Sequence, residues 1–589
     1  MLKVQKKFML CFFSFKPLFL AALLALVFAS NGFASVGNSK AANNKDDLSR
    51  FRKDIMVDSN YLRLPVKNDA KGRWISIYIN ENLFQNFVIG LPDCKEEADF
   101  WTFINLKNQK GKTLTIETER FVGEDSNILE TIDISDKPRN SDSFYEEKLR
   151  NQFHFSSKRG WINDPVGMFY YDGLYHLHYQ HNPFGWSPGN AYWGHAVSKD
   201  MVHWQELPSS ICPDEMGAIF SGSAIVDKNN ITGLKSGKED PIIAFYTAAG
   251  GRNLASQQAG AKYTQCIAYS TDGGFTWKKY EHNPIISNFG FNNRDPYVFW
   301  HEQSQKWVMV YYVADEILVF LNSNNLLDWQ ESGLIHGFYE CPNLLELPVD
   351  GNNNNKRWVI YGGDCQYYIG NFNGKKFLPH NEEKYALFQG NTGYAASTFD
   401  NMPDDRCVQM SWARGTETPG MPFNQTMNYP VNLELKTLDE GIRLVANPVK
   451  EIESLHREEY IKTSFIVEGV ERIKNFSAEL FHIKAVFDVA NNQVFGLRVQ
   501  GVDIIYDAGK KQLVCLDRST AINPDKDGKM RLEILVDINN IEIFANGGEV
   551  YMPMTAPLAD KDKNISLIAK SGPVEVERLE VYKLASIWQ

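Results

Sequence analysis

Three observations predict an all-β protein of several domains. Aromatic residues make up 13% of the 589 residues, and Gly, Asn and Asp recur between short apolar runs, a composition suited to short strands joined by tight turns. Apolar and polar residues alternate with period two in stretches such as "WISIYINENLF" and "KTLTIETERF", which places one face of each strand on a core. A Ser-led polar turn closing on Trp occurs three times, as "SKDMVHW" (198–204), "STDGGFTW" (270–277) and "SNNLLDW" (323–329). A chain of this length exceeds one hydrophobic core, so two or three domains are expected.

The chain opens on the basic "MLKVQKKFML", continues with the apolar "PLFLAALLALVFAS" and reaches small residues near Ala34. That order reads as a secretory signal peptide over 1–34, with a retained membrane anchor as the alternative, followed by a polar tether over 35–48. The expected mature protein has no transmembrane segment and is secreted, periplasmic or at the cell surface. Cys11 sits too early to be a lipid-attachment cysteine. The formal net charge of −11 becomes more negative once the four lysines of the leader are removed. Nucleic acid is thereby excluded as a partner, since its phosphates would repel the surface, whereas a neutral substrate fits. The seven remaining cysteines are scattered, odd in number and without a C-x-x-C pair. Isolated buried thiols are expected in place of a disulfide framework or zinc site. No His/Asp/Glu grouping has metal-ligand spacing, so neither a metal nor a cofactor is expected.

The alternating strands from 50 to 140 predict a small N-terminal β-domain, and "DISDKPRNSDSFYEEKLRN" (133–151) reads as the linker after it. From 150 to 445, strands such as "PIIAFYTAA", "KWVMVYYVA" and "KRWVIYGG" recur between the Ser–Trp turns. Short antiparallel strands repeating at irregular spacing suggest the blades of a β-propeller. A plain sandwich would not explain the closing tryptophans. "ANPVKEIESLHREEY" (446–460) reads as an amphipathic connecting helix. The alternating strands of 461–589, with Gly and Asn between them, predict a C-terminal β-sandwich.

Three carboxylates stand out by context. Asp164 sits in "WINDPVG", Asp295 in "FNNRDPYVFW" beside Arg294, and Glu340 in "GFYECPNLLELP". Asp-Pro by itself is ordinary turn chemistry. These acids, however, are embedded among apolar and aromatic residues, where ionisation is costly and proton affinity adjustable.

The ordered set "WINDPVG", "YQHNP", "WGHAVSKDMVHW", "FSGSA", "RDP" and "EC" resembles glycoside hydrolase family 32, the fructan hydrolases and invertases. The likeness runs from about residue 150 to the C-terminus. It implies a five-bladed β-propeller followed by a β-sandwich, with fructan or sucrose as substrate. By that resemblance Asp164 matches the nucleophile, Glu340 the acid/base and Asp295 the residue that grips sugar hydroxyls, with Arg294 beside it. Asn163, Gln180, Trp161, Trp186, Phe220 and Ser221 are carried over as sugar contacts, and His181 as a structural or subsite residue. If configuration is retained, the two reacting carboxyls should lie about 5–5.5 Å apart. The chemistry further calls for Glu340 protonated by burial near Asp164, and for Asp164 held ionised by donors around its turn. Two departures are visible: Val166 stands where the family motif has Asn, and "GNTGYAASTF" (390–399) does not keep the usual Asp-Phe-Tyr-Ala run. The first alters a polar contact near the pocket, and the second puts leaving-group contacts in question. The domain over 50–140 falls outside the family outline and resembles an extra N-terminal module of some secreted bacterial fructanases. The alternatives are a related propeller glycosidase acting on arabinan or xylan, and a catalytically silent carbohydrate-binding propeller. Retention of all three acids argues against the silent propeller.

Overall fold

The computed structural model describes residues 50–588 apart from 125–126, 290–291 and 557–561. The expected leader and tether lie outside the described residues. Among the described residues, no helix is long and apolar enough to cross a membrane.

The first domain is a small β-sandwich. One sheet orders the strands Arg50–Met56, Thr113–Glu119, Arg73–Ile79 and Asn82–Ile89, and the other orders Phe100–Asn105, Tyr61–Val66 and Asp133–Ser135. The period-two reading holds residue by residue: in "RWISIYI", Arg73, Ile75, Ile77 and Ile79 are buried while the residues between them are half-buried. Ile75, Ile77, Ile116, Leu64 and Phe87 form its core, each worth about 1.5–3 kcal/mol on burial.

Five four-stranded blades follow. Their inner strands are Gly160–Tyr171, Ala218–Val226, Arg294–His301, Asn343–Val349 and Tyr394–Thr398. The Ser–Trp turns occupy one equivalent place, between the third and fourth strands of the first three blades. In each, the Ser hydroxyl accepts the N–H two residues on (Asp200 3.1 Å, Asp272 3.4 Å, Asn325 3.1 Å). Each Trp indole donates to the carbonyl three residues back (Met201 3.1 Å, Gly274 2.9 Å, Leu326 2.9 Å). The ring is closed by Phe423–Asn424 of the fifth blade, which pairs in parallel with Gly160 and Trp161 of the first.

The sequence-based helix over 446–460 does not form. The last strand of the fifth blade runs through Gly441–Pro448, a 3-10 segment occupies Lys450–Leu455, and His456 begins a strand that reaches Ser477. Ile452 and Leu455, three residues apart, are both buried by that single turn, so the spacing taken for a helix face serves a tighter coil. Beyond it, antiparallel pairing of His456–Ser477 with Asn564–Leu584 overrides helix propensity. The sandwich therefore begins at 456, five residues earlier than expected. Its junction with the propeller holds a buried triad: His154 Nδ1 lies 2.7 Å from Asp537 and Nε2 2.8 Å from Glu542. Burial alone would lower the His154 pKa, but the two carboxylates raise it to about 9.

Candidate active site

The floor of the propeller funnel is built where the inner strands begin, and a β-bulge marks that point in four blades. In the first, Ile162 pairs with His181 and Pro165 with Tyr179, so Asn163 and Asp164 together oppose Gln180. In the second, Ser221 is the extra residue between Phe220 and Gly222. In the third, Asp295 and Pro296 oppose Tyr311. In the fifth, Ala395 and Ala396 oppose Ser411. A bulge re-aims side chains that the regular pleat would send sideways. The fourth blade uses a different device: Glu340 and Cys341 both take positive φ, 33° and 44°, just before their strand starts. Asp295 does so as well, at 64°. Left-handed backbone at non-glycine residues is strained and concentrates at functional sites.

These devices bring the three expected carboxylates together. Asp164, Ser221, Asp295, Tyr297, Cys341 and Asn343 line one hollow. Asp164 accepts hydrogen bonds from Ser221 Oγ (2.7 Å) on Oδ2 and from Asn163 Nδ2 (2.9 Å) on Oδ1. Asp295 accepts the Cys341 N–H at 3.1 Å. The Cys341 thiol lies 3.5 Å from Asp164 Oδ2 and 3.6 Å from Asp295 Oδ2, bridging the two acids. Arg294 donates to Glu340 Oε2 through Nε (3.2 Å) and Nη2 (2.9 Å). Its guanidinium packs on the rings of Tyr312 and Tyr339, 4.5 and 5.3 Å from their centroids.

Burial and mutual repulsion set the proton affinities. Burial raises the Asp164 carboxyl above its ordinary value, the Glu340 charge adds to the rise, and the donors from Ser221, Asn163 and Cys341 oppose it. Burial raises Asp295 to about 7, with Arg294 opposing and the charges of Glu340 and Asp164 adding to the rise. The cluster thus holds a proton near neutral pH, as closely spaced carboxylates do. The expectation that donors hold Asp164 ionised is not met, because burial outweighs the donors from Asn163 in its own turn and from Ser221 and Cys341 in other blades.

The expected sugar contacts divide. Gln180 is buried beside the Asp164 bulge with its amide nitrogen unpartnered among the described residues, and it is not among the residues that line the hollow. Arg294 sits on Glu340. Asn163 and Ser221 are turned onto Asp164, and Trp161 donates its indole N–H to Asn163 Oδ1 at 3.1 Å, so these three support the carboxylate. Phe220 stands edge-on to Tyr263. Trp186 is half-buried with its indole N–H on the Phe423 carbonyl at 3.1 Å, outside the lining of the floor. His181 is buried, its Nε2 donating to the Arg159 carbonyl at 2.9 Å, as a structural residue would.

Sequence reasoning missed Tyr394, whose hydroxyl donates to Glu340 Oε1 at 2.8 Å. Trp412 was missed too; its ring packs against Trp161 and Tyr394. Tyr394 lies in the "GNTGYAASTF" stretch, and the available signal was the small pair Ala395–Ala396 after an aromatic at the start of a fifth strand set. Tyr394 also lines a neighbouring cleft with Asp364, Asn391, Thr392 and Arg414.

Residues 154–448 match the glycosyl hydrolases family 32 N-terminal domain and residues 451–583 the family's C-terminal domain. The chain belongs to glycoside hydrolase family 32. This family 32 hydrolase is 37% identical to a levanase from Bacillus subtilis, over 76% of this chain and 72% of the relative. Among solved structures, an exo-inulinase from Aspergillus awamori superposes with a TM-score of 0.68 at 29% identity, over 75% of this chain and all of that one. A β-fructofuranosidase from Schwanniomyces occidentalis, solved with fructosyl-erythritol, gives 0.67 at 28% identity, over 75% and 98%. The match decides for a glycoside hydrolase over the silent binding propeller. The N-terminal β-domain lies ahead of both matched regions.

Proposed function

We propose that this family 32 hydrolase cleaves fructosyl linkages of levan, inulin or sucrose with retention of configuration, by double displacement. The observation that carries the reading is the approach of three acids from three different blades: Asp164 and Asp295 line one hollow, bridged by Cys341, and Glu340, the residue before Cys341, adjoins them through Arg294. In the first step an Asp164 oxygen attacks the anomeric carbon, and the bond to the leaving oxygen breaks as Glu340 gives that oxygen a proton. In the second, Glu340 takes a proton from water. The resulting hydroxide adds to the anomeric carbon and releases Asp164. Asp295 and Arg294 hold the sugar hydroxyls as positive charge develops on the ring. The chain's relatives, a levanase, an exo-inulinase and a β-fructofuranosidase, support the same substrate class.

The chain also reads as exported, with the leader over 1–34 removed and the enzyme then secreted, periplasmic or at the cell surface. The extracellular exo-inulinase from Aspergillus awamori, 31% identical, supports this. The test is incubation with sucrose, inulin and levan, following product size over time, with methanol as a competing acceptor. Free fructose and methyl β-fructofuranoside are expected. A methyl α-fructofuranoside would overturn retention, and no release from any of the three would overturn the substrate class.

A further inference from the structure

We propose that the N-terminal β-domain braces the active site through the 182–192 connector, with Asn190 as the positioning residue that couples it to Asp164. The inference rests on the fructosidase reading for its kinetic consequence, but its geometry stands alone. Asn82–Ile89 is an edge strand of the first domain, and edge strands present unpaired backbone groups. Asn190, in the connector between the second and third strands of the first blade, satisfies both groups of one edge residue. The Val88 N–H donates to Asn190 Oδ1 at 2.7 Å, and Asn190 Nδ2 donates to the Val88 carbonyl at 2.8 Å. One residue earlier on that strand, Phe87 stacks on Phe184 of the connector, with centroids 3.7 Å apart and planes at 12°. Phe184 and Tyr192, at the two ends of the connector, are buried in the core of the N-terminal domain.

The connector's own side-chain bonds converge on Asn182, to which Asn190 donates. The connector reads "NPFGWSPGNAY" over 182–192 and wraps around one amide. Asn190 Nδ2 donates to Asn182 Oδ1 at 2.9 Å, and Asn182 Nδ2 donates to the Ser187 carbonyl at 2.9 Å. A Cβ on either Gly185 or Gly189 would stand 2.9 Å from that Asn182 nitrogen. The amide of Asn190 therefore joins the foreign strand to the centre of the loop.

From the loop the contact continues to the nucleophile. Trp186 donates to the Phe423 carbonyl (3.1 Å) and accepts from Asn424 Nδ2 on its own carbonyl (3.0 Å). Phe423 and Asn424 pair with Gly160 and Trp161. Trp161 donates to Asn163, and Asn163 to Asp164. A domain outside the family match thus reaches Asp164 through a series of hydrogen bonds, ladder pairs and the Trp186–Ser187 peptide link.

The test uses the full-length enzyme with Asn190→Ala, Trp186→Ala and the double variant, read by kinetics and by hydrogen exchange of the 160–170 and 182–192 segments. For Asn190→Ala the expected result is a rise in KM of about tenfold, the size that losing one or two modest hydrogen bonds produces, with kcat changed less than about threefold. Faster exchange should reach 160–164 as well as 182–192. The double variant should be no worse than Trp186→Ala, because both act through one loop. Unchanged KM with faster exchange confined to 182–192, or additive losses in the double variant, would overturn the proposal. Should Asn190→Ala fail to fold, Phe87→Leu, which keeps the core filled but removes the ring stack, carries the same readouts. A wild-type enzyme inactive on all three fructosides would instead overturn the substrate reading, and the exchange result would still judge the coupling.

Discussion

Tyr394 of the fifth blade donates a 2.8 Å hydrogen bond to Glu340 Oε1, while Arg294 of the third blade holds Oε2 at 2.9 Å. Glu340 is therefore gripped from both sides and has one orientation. Hydrogen bonds to charged groups contribute about 1.5–3 kcal/mol, so Tyr394→Phe should lower kcat/KM by about 10–100-fold. The melting temperature should stay close to wild type, because Tyr394 is only half-buried. Steady-state kinetics on sucrose and on inulin check this.

Asp164→Ala and Glu340→Ala should each remove nearly all turnover, by at least about 10³-fold, within or beyond the range attributed to positioned acid–base groups. Both proteins should retain the far-ultraviolet spectrum of the wild type. Near-normal rates in either would take that residue out of the mechanism.

Ser221 opposes the burial-driven rise of the Asp164 proton affinity. Ser221→Ala withdraws a 2.7 Å hydrogen bond from Oδ2, so the Asp164 carboxyl should bind its proton at still higher pH. The acid limb of the kcat/KM profile should move upward, with activity lost first at the acid end. A profile measured in constant-ionic-strength buffers decides the direction.

Stability should fall on both sides of neutrality. Burial lowers His176 to about 3, with His178 adding to the effect, and burial lowers His178 to about 4 against the pull of the Gly167 carbonyl. Unfolded, both bind protons near 6.5. Their contribution is present above that value and is lost as pH falls through about 4 and then 3. His154, held protonated to about 9, behaves in the opposite way: its contribution is present below 6.5 and is lost as pH rises through about 9. Denaturant midpoints measured from pH 3 to 10 should therefore peak between these ranges.

His154→Ala leaves the buried Asp537 and Glu542 without their shared cation. Breaking a buried ionic group in this manner costs about 3–5 kcal/mol. Chemical denaturation should show a loss of that order, centred on the junction between propeller and sandwich.

Much of this architecture was legible because it is local. The Ser–Trp turns are closed within eight residues by their own hydrogen bonds, so their pattern survives in the sequence, and "WINDPVG" announces a bulge through its Asn-Asp-Pro. The alternation of Ile75, Ile77 and Ile79 fixed the first domain in the same manner. Tyr394 was not legible, since its role depends on the fifth blade meeting the fourth. The 446–460 segment misled because Ile452 and Leu455 at spacing three fit a single 3-10 turn as well as a helix face. Only the distant pairing of His456–Ser477 with Asn564–Leu584 decides between them.

The closure through Phe423–Asn424 onto Gly160 and Trp161 has a consequence for timing. The strand bearing Asp164 is made early, yet its lateral partner and the Tyr394 grip on Glu340 are among the later parts to leave the ribosome. A polypeptide stalled before Phe423 should therefore be chemically silent even with all three acids already synthesised.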